Sequence, residues 1–243
     1  MRIREWVLLA FMAVVVPAAA YGQHQKIDHN FHGWFNYFGD HPIGRSKWGV
    51  HLEGQWRRHD GFTRWQQLLL RPALNYEVSP LLMLSAGYGF ARSFPYGEYP
   101  AARTANEHRL WQQAWFRYRT GRVAWTTRLR FENRFLHTIN SETGRPYYRF
   151  ENRFRGWQQV RVPVSDLTYF TAYNELWFYV KPYVSNSAFD QNRAYAAIGV
   201  NVDRFWRMEL GYMNQALLQR SGAALESNHT LMISVFSTAA FWR

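Results

Sequence analysis

Cysteine is absent from the 243 residues. That excludes a disulfide framework, a thiolate metal site and a lipid-modified cysteine. Long apolar runs are missing as well: the one sustained stretch, Trp6–Val16, is too short to anchor a chain across a bilayer as a helix. Acids are few, with 17 Asp and Glu against 29 Lys and Arg and a formal net charge of +12. A basic chain can meet nucleic acid, anionic lipid or acidic sugars. No RNA-binding sheet signature, helix-turn-helix or zinc finger is present, so nucleic acid is not an expected partner.

What is abundant is aromatic. Phe, Trp and Tyr make up 19% of the chain, yet the mean hydropathy is −0.43. Apolar residues must therefore be dispersed along the sequence, as alternating strands disperse them. The first residues have a different grammar: Arg2 and Arg4, then the apolar run, then small residues. This order reads as a secretory signal over residues 1–22, cleaved after Ala20 or Gly22, with the barrel domain occupying residues 23–243. Its removal leaves a basic mature chain.

Beyond the leader, period two dominates. In "VAWTTRLRFENRF", Val123, Trp125, Thr127, Leu129, Phe131 and Phe135 share one face and Arg128, Arg130, Glu132 and Arg134 the other. "RFENRF" then recurs, so that Phe150 and Phe154 oppose Arg149, Glu151, Arg153 and Arg155. Ten such segments can be counted. Short turns near Ser79, Thr120, 162–166 and 203–205 alternate with longer polar segments near 94–106, 137–146, 181–191 and 217–227. A soluble sandwich also alternates, but its strands are shorter, near ~5–6 residues. Long strands joined by alternately short and long connections predict an all-β, transmembrane, antiparallel up-and-down barrel of 10–12 strands in the outer membrane of a Gram-negative bacterium. The uncertain element is "FHGWFNYFGDHPIG", a further strand or a stretch tucked against the barrel; if it ends in a turn on the short side, an even count fails. "WQQ" at Trp65, Trp111 and Trp157, spaced by 46 residues, places each Trp and second Gln on the polar face; coincidence and hairpin duplication both account for the spacing.

The combination of "EHR" (Glu107–Arg109), "RLRFENRF", "YRFENRF", "NELWF" (Asn174–Phe178), "DQNR" (Asp190–Arg193) and "GYMNQ" (Gly211–Gln215) resembles the bacterial outer-membrane proteins grouped as domain of unknown function 2490. The resemblance extends over about residues 31 to 236. It implies a barrel fold and an outer-membrane location, and carries no activity with it.

In such a barrel the charged face must point to the lumen, because a charge facing lipid costs about 2–4 kcal/mol at the midplane. The expected lumen-facing set is Arg71, Glu107, Arg109, Arg117, Arg128, Arg130, Glu132, Arg134, Arg149, Glu151, Arg153, Arg155, Glu175 and Arg193. Trp111, Trp115, Tyr173 and Trp177 share those faces. The first reading is a lumen-filling ladder in which Arg and Glu satisfy one another; a register that sets each Glu diagonal to two Arg, and one that sets Glu against Glu, are both open. The second is a narrow anion-selective eyelet or a ligand-binding pore, since Arg exceeds Glu. The third is an outer-membrane lipid hydrolase, for which His137, Ser141, Asn228 and His229 form no recognisable motif. "HQKIDHNFH" offers His24, Asp28, His29 and His32 as metal ligands, and a frayed tail is the simpler account. No catalytic residue, metal or cofactor is expected. Expected partners are outer-membrane lipids and lipopolysaccharide, the barrel assembly machinery, and a small anionic or sugar solute.

Overall fold

The computed structural model of the chain describes residues 26–97, 103–139, 143–180, 187–219 and 224–241; the leader read over residues 1–22 lies outside them. Eleven strands close into one barrel. In chain order they are β1 (Lys26–Pro42), β2 (Trp48–His59), β3 (Arg64–Ser79), β4 (Leu82–Ser93), β5 (Ala105–Thr120), β6 (Val123–Ile139), β7 (Pro146–Pro163), β8 (Thr168–Val180), β9 (Phe189–Asn201), β10 (Trp206–Leu218) and β11 (Ala224–Ser237). No described residue is helical.

Every strand pairs antiparallel with its sequence neighbour, and the barrel closes through a parallel pairing of β1 with β11, Lys26↔Ala224 to Gly39↔Ser237. That seam corrects the wholly antiparallel expectation. The segment around Trp34 is a full strand, which makes the count odd. An odd number of up-and-down strands sends the first and last in the same direction, so closure has to be parallel. β1 starts beside the long connections and β11 finishes beside the short ones.

The short connections are residues 43–47, 80–81, 121–122, 164–167 and 202–205. At the other end lie 60–63, 94–104, 140–145, 181–188 and 219–223. Strand lengths run from 12 to 18 residues, more than the roughly 9–11 tilted residues needed to cross a hydrocarbon layer. The outer wall is apolar: Leu74, Leu110, Phe116, Phe150, Ile198 and Leu210 are exposed there, Ile198 at 67% and Leu210 at 58%. The inner wall buries charge instead, with Glu132 at 0% and Arg130 at 1% exposure. The ordinary distribution of a soluble protein is inverted.

One inner-face reading is corrected. Trp111 and Trp157 point inward and are buried, but Trp65 is 41% exposed. The pairing of β2 with β3 slips between Arg57 and Arg58, so that Arg57 faces Gln67 and Arg58 faces Trp65. The extra residue, Gln66, is buried. A bulge of this kind changes which residues face in, and it turns Trp65 outward.

Candidate functional site: a charged ladder dividing the lumen

The hairpin of β6 and β7 sets the ladder. Its register pairs Arg134 with Glu151, Glu132 with Arg153, Arg130 with Arg155 and Arg128 with Trp157. Each Glu therefore faces an Arg directly, an arrangement that sequence alone left open. Cross-strand opposition of unlike charges is favourable. The one Arg–Arg rung, Arg130 beside Arg155, is bracketed by acids.

Glu132 is the hub. Its Oε2 accepts from Arg153 Nε at 3.0 Å and Nη2 at 2.6 Å, and its Oε1 from Arg155 Nη1 at 2.8 Å. Arg71 reaches it from β3 across the lumen, at 3.5 Å. Arg71 also pairs with Glu53 on β2. Towards the short turns, Glu175 on β8 accepts from Arg155 Nε at 3.0 Å and Nη2 at 2.7 Å, and pairs with Arg128. Arg193 lies 3.9 Å from the same carboxylate. Towards the long connections, Glu107 on β5 takes Arg109 Nε at 2.6 Å and Arg134 Nε at 2.5 Å, while Glu151 takes Arg134 Nη1 at 2.9 Å and Arg149 Nε at 2.8 Å. Forked guanidinium–carboxylate contacts of this type fix geometry as well as charge.

All fourteen residues of the expected set line the inner wall, and most meet in this network. Arg117 and Arg149 sit at opposite rims, with side chains 41% and 36% exposed; Arg117 Nη1 bonds Glu77 at 3.0 Å. Trp177 is touched by three guanidiniums, those of Arg155, Arg153 and Arg193, at 3.7, 4.1 and 4.2 Å from its ring centre. Trp111 carries Arg130 at 4.5 Å, and Arg128 lies between Trp115 at 5.2 Å and Trp157 at 5.1 Å. Stacking of Arg on indole adds an attraction that survives desolvation.

Two further contributors were not read from the sequence. The first is an apolar cluster inside the lumen: Trp34, Tyr195, Ala197, Met213 and Met232, from β1, β9, β10 and β11, with Tyr173 packed against it. Arg57 lies 3.8 Å over Trp34 and joins the cluster to the ladder. The second is the inner face of β4, where Ser85, Gly87, Gly89 and Ala91 are all small. A Cβ on Gly89 would lie 3.1 Å from Arg71 Cγ. The period-two run of small residues in "SAGYGFA" was the available signal.

Ladder and cluster together partition the lumen. On the short-turn side lies a cavity of about 480 Å3, and on the other a cavity of about 520 Å3. Arg71 and Arg193 line both. The second cavity is roofed in part by Tyr96, whose hydroxyl donates to Glu226 at 3.1 Å.

Among the described residues, those weighed for catalysis do not assemble. Ser141 and His24 lie outside the described residues. Asn228 is fully buried and points inward, whereas His229 points outward, with Nδ1 2.6 Å from Tyr212 OH and Nε2 3.2 Å from His29 Nδ1. On β1, His29 faces out and His32 is buried inside, so the two cannot share an ion; no metal-ligating group of three is found among the described residues.

A search of curated proteins found no match. Among solved structures, one described as "NanC porin structure in rhombohedral crystal form" aligns with a TM-score of 0.48 and 9% identity, covering 81% of this chain and 92% of that one. The family described as "Protein of unknown function (DUF2490)" matches residues 31–226, and with most of the sequence inside that match the chain belongs to the DUF2490 family.

Proposed function

We propose that this protein is an exported outer-membrane barrel whose lumen is filled by its own side chains, and that the Arg–Glu ladder serves chiefly as its core. Three features support the membrane setting: strands long enough to span, an apolar outer wall, and connections that are short at one end and, apart from 60–63, longer at the other. The leader over residues 1–22 supplies export, and the expected surroundings are lipid, lipopolysaccharide and the assembly machinery. The closed lumen rests on one observation: Glu132, Arg130 and Met213, in the middle of the partition, are 0%, 1% and 0% exposed. Such a partition leaves two blind chambers.

Arg57 and Arg193 favour a second reading, a narrow anion path. Arg57 bonds only to Gln55 and Gln67 and makes no ion pair among the described residues. One pair of measurements tests both readings. Outer-membrane fractionation with heat-modifiable migration checks location and fold; recovery as a soluble periplasmic protein refutes the proposal. Planar-bilayer recording then separates plug from pore. A closed partition stays silent in the wild type and in the double variant Arg130→Glu, Arg153→Glu. An anion-selective wild type whose preference reverses in that variant establishes the path.

A further inference from the structure

The short-turn chamber has a strong chemical bias. Its wall is rich in guanidinium groups: Arg128, Arg161, Arg193 and Arg207 line it, with the indole of Trp115 among them. A guanidinium carries donors and no acceptor, so such a wall favours a guest rich in acceptors.

Charge points the same way. Cationic side chains around this chamber outnumber acidic ones by nine to five, and the acids are already engaged. Glu53 holds Arg71, Glu77 holds Arg117, and Glu175 holds Arg128 and Arg155. Asp40 accepts from His51 and Asn75, and Glu209 from the hydroxyls of Tyr169 at 2.9 Å and Tyr195 at 3.2 Å. Arg161 and Arg207 both line the chamber and form no ion pair among the described residues. Both are held by rings: Arg161 lies 4.8 Å from the centre of Tyr169, and Arg207 lies 4.3 Å from that of Phe236. The Tyr169 platform is fixed, because its ring fills the space over Gly199, where a Cβ would come within 2.1 Å of it. Beside the cations is an aromatic wall, with Trp157 5.5 Å from Trp115 and 5.4 Å from Tyr173.

We propose that this chamber binds a soluble phosphate monoester carried on a flat ring, with Arg161 and Arg207 receiving the phosphate and the ring seated against Trp115, Trp157 and Tyr173. Two guanidiniums without a carboxylate partner favour a dianion with three free oxygens over a carboxylate monoanion. The aromatic wall favours a ring over a bare ion. The cavity, about 480 Å3, is of the size that holds a small organic ligand.

Phenyl phosphate is the probe, titrated calorimetrically into the full folded barrel in detergent, with benzoate, phenol and inorganic phosphate as comparators. Saturable binding of phenyl phosphate is expected, at least about tenfold tighter than any comparator. Arg161→Gln and Arg207→Gln should each weaken it about tenfold, the scale of one charge-assisted hydrogen bond. Arg149→Gln, at the opposite rim, should leave it unchanged. Should a Gln variant lose heat-modifiable migration, Arg161→Lys and Arg207→Lys keep the charge and remove the fork, and the same weakening is expected. Absence of saturable binding to folded wild type, or wild-type affinity in folded Arg161 and Arg207 variants, overturns the proposal. Competition by phosphatidic acid in the micelles overturns its soluble-ligand part. Conductance is read separately, so a conducting barrel would refute the closed partition and leave this site standing.

Discussion

Replacing Glu132 by Gln changes almost no volume and removes one charge from the centre of the ladder. In the wild type, that carboxylate accepts three hydrogen bonds shorter than 3.1 Å, from Arg153 and Arg155, with Arg71 at 3.5 Å and Arg130 at 3.9 Å. The amide keeps one oxygen, but its NH2 must face guanidinium N–H groups, turning attractions into donor–donor contacts. Nothing nearby can compensate, because Glu132 is fully buried and its partners are at most a few percent exposed. Removing one partner of a buried, hydrogen-bonded ion pair costs about 3–5 kcal/mol. For a domain of this length, 1 kcal/mol corresponds to about 2–4 °C in the midpoint, so a fall of roughly 6–20 °C is expected in heat-modifiability or denaturant assays. Glu151→Gln should cost less, because its partner Arg149 is 36% exposed and can turn to water. Thr127→Val, which removes an outward hydrogen bond to Gln158, should cost about 1 kcal/mol. A double-mutant cycle with Arg153→Gln should recover part of the loss, since it removes the cation left unpaired. Equal midpoints for the three single variants, or strict additivity in the cycle, would show a hydrated, energetically slack ladder and refute the reasoning.

Other outcomes depend on packing and surroundings. Met213→Ala, at 0% exposure in the apolar cluster, should cost about 2–5 kcal/mol by leaving a cavity, read as a lowered unfolding midpoint. Gly199→Val forces its side chain into the Tyr169 ring and should destabilise by about 1–3 kcal/mol, in the same assay. Leu210→Arg, on the outer wall, should cost up to about 2–4 kcal/mol when the barrel is folded into lipid vesicles; an unchanged vesicle stability would contradict a lipid-facing position.

The fold was legible because two-residue periodicity is a strong signal when one face is aromatic and the other charged. Strand β8 has the bounds that alternation alone assigns, 168–180. The strand count was bounded and not fixed, for a physical reason. β1 sets Trp34 and Phe38 among Asp28, Asn30, Asn36 and Asp40 on its inner face and carries His29 and His41 among the aromatics of the other, and its partner across the seam is the last strand, nearly two hundred residues away. Local pattern carries no information about such a pairing, whereas hairpins announce themselves through their turns. The displaced Trp65 has a similar cause: a bulge depends on how two strands meet, and the "WQQ" spacing reflects neither.

For the ladder, sequence could assign charged residues to a face but not to partners. A shift of one rung in the β6–β7 register moves every cross-strand neighbour, and only pairing across the turn decides between Glu opposite Arg and Glu opposite Glu. The structure also shows how an Arg excess is accommodated inside the barrel. Guanidiniums without a carboxylate are placed against indole and phenyl rings, Arg57 on Trp34 and Arg207 on Phe236, so aromatic residues on the inner face do the work that further acids would otherwise do. That substitution carries a chemical consequence. A ring covers a guanidinium's face without neutralising its charge, and that remaining charge is what the proposed anion site draws on. The shortage of acid in this sequence therefore bears on both proposals: ion pairs gather at the ladder, and the ring-held Arg161 and Arg207 would give the chamber beside it an affinity for anions.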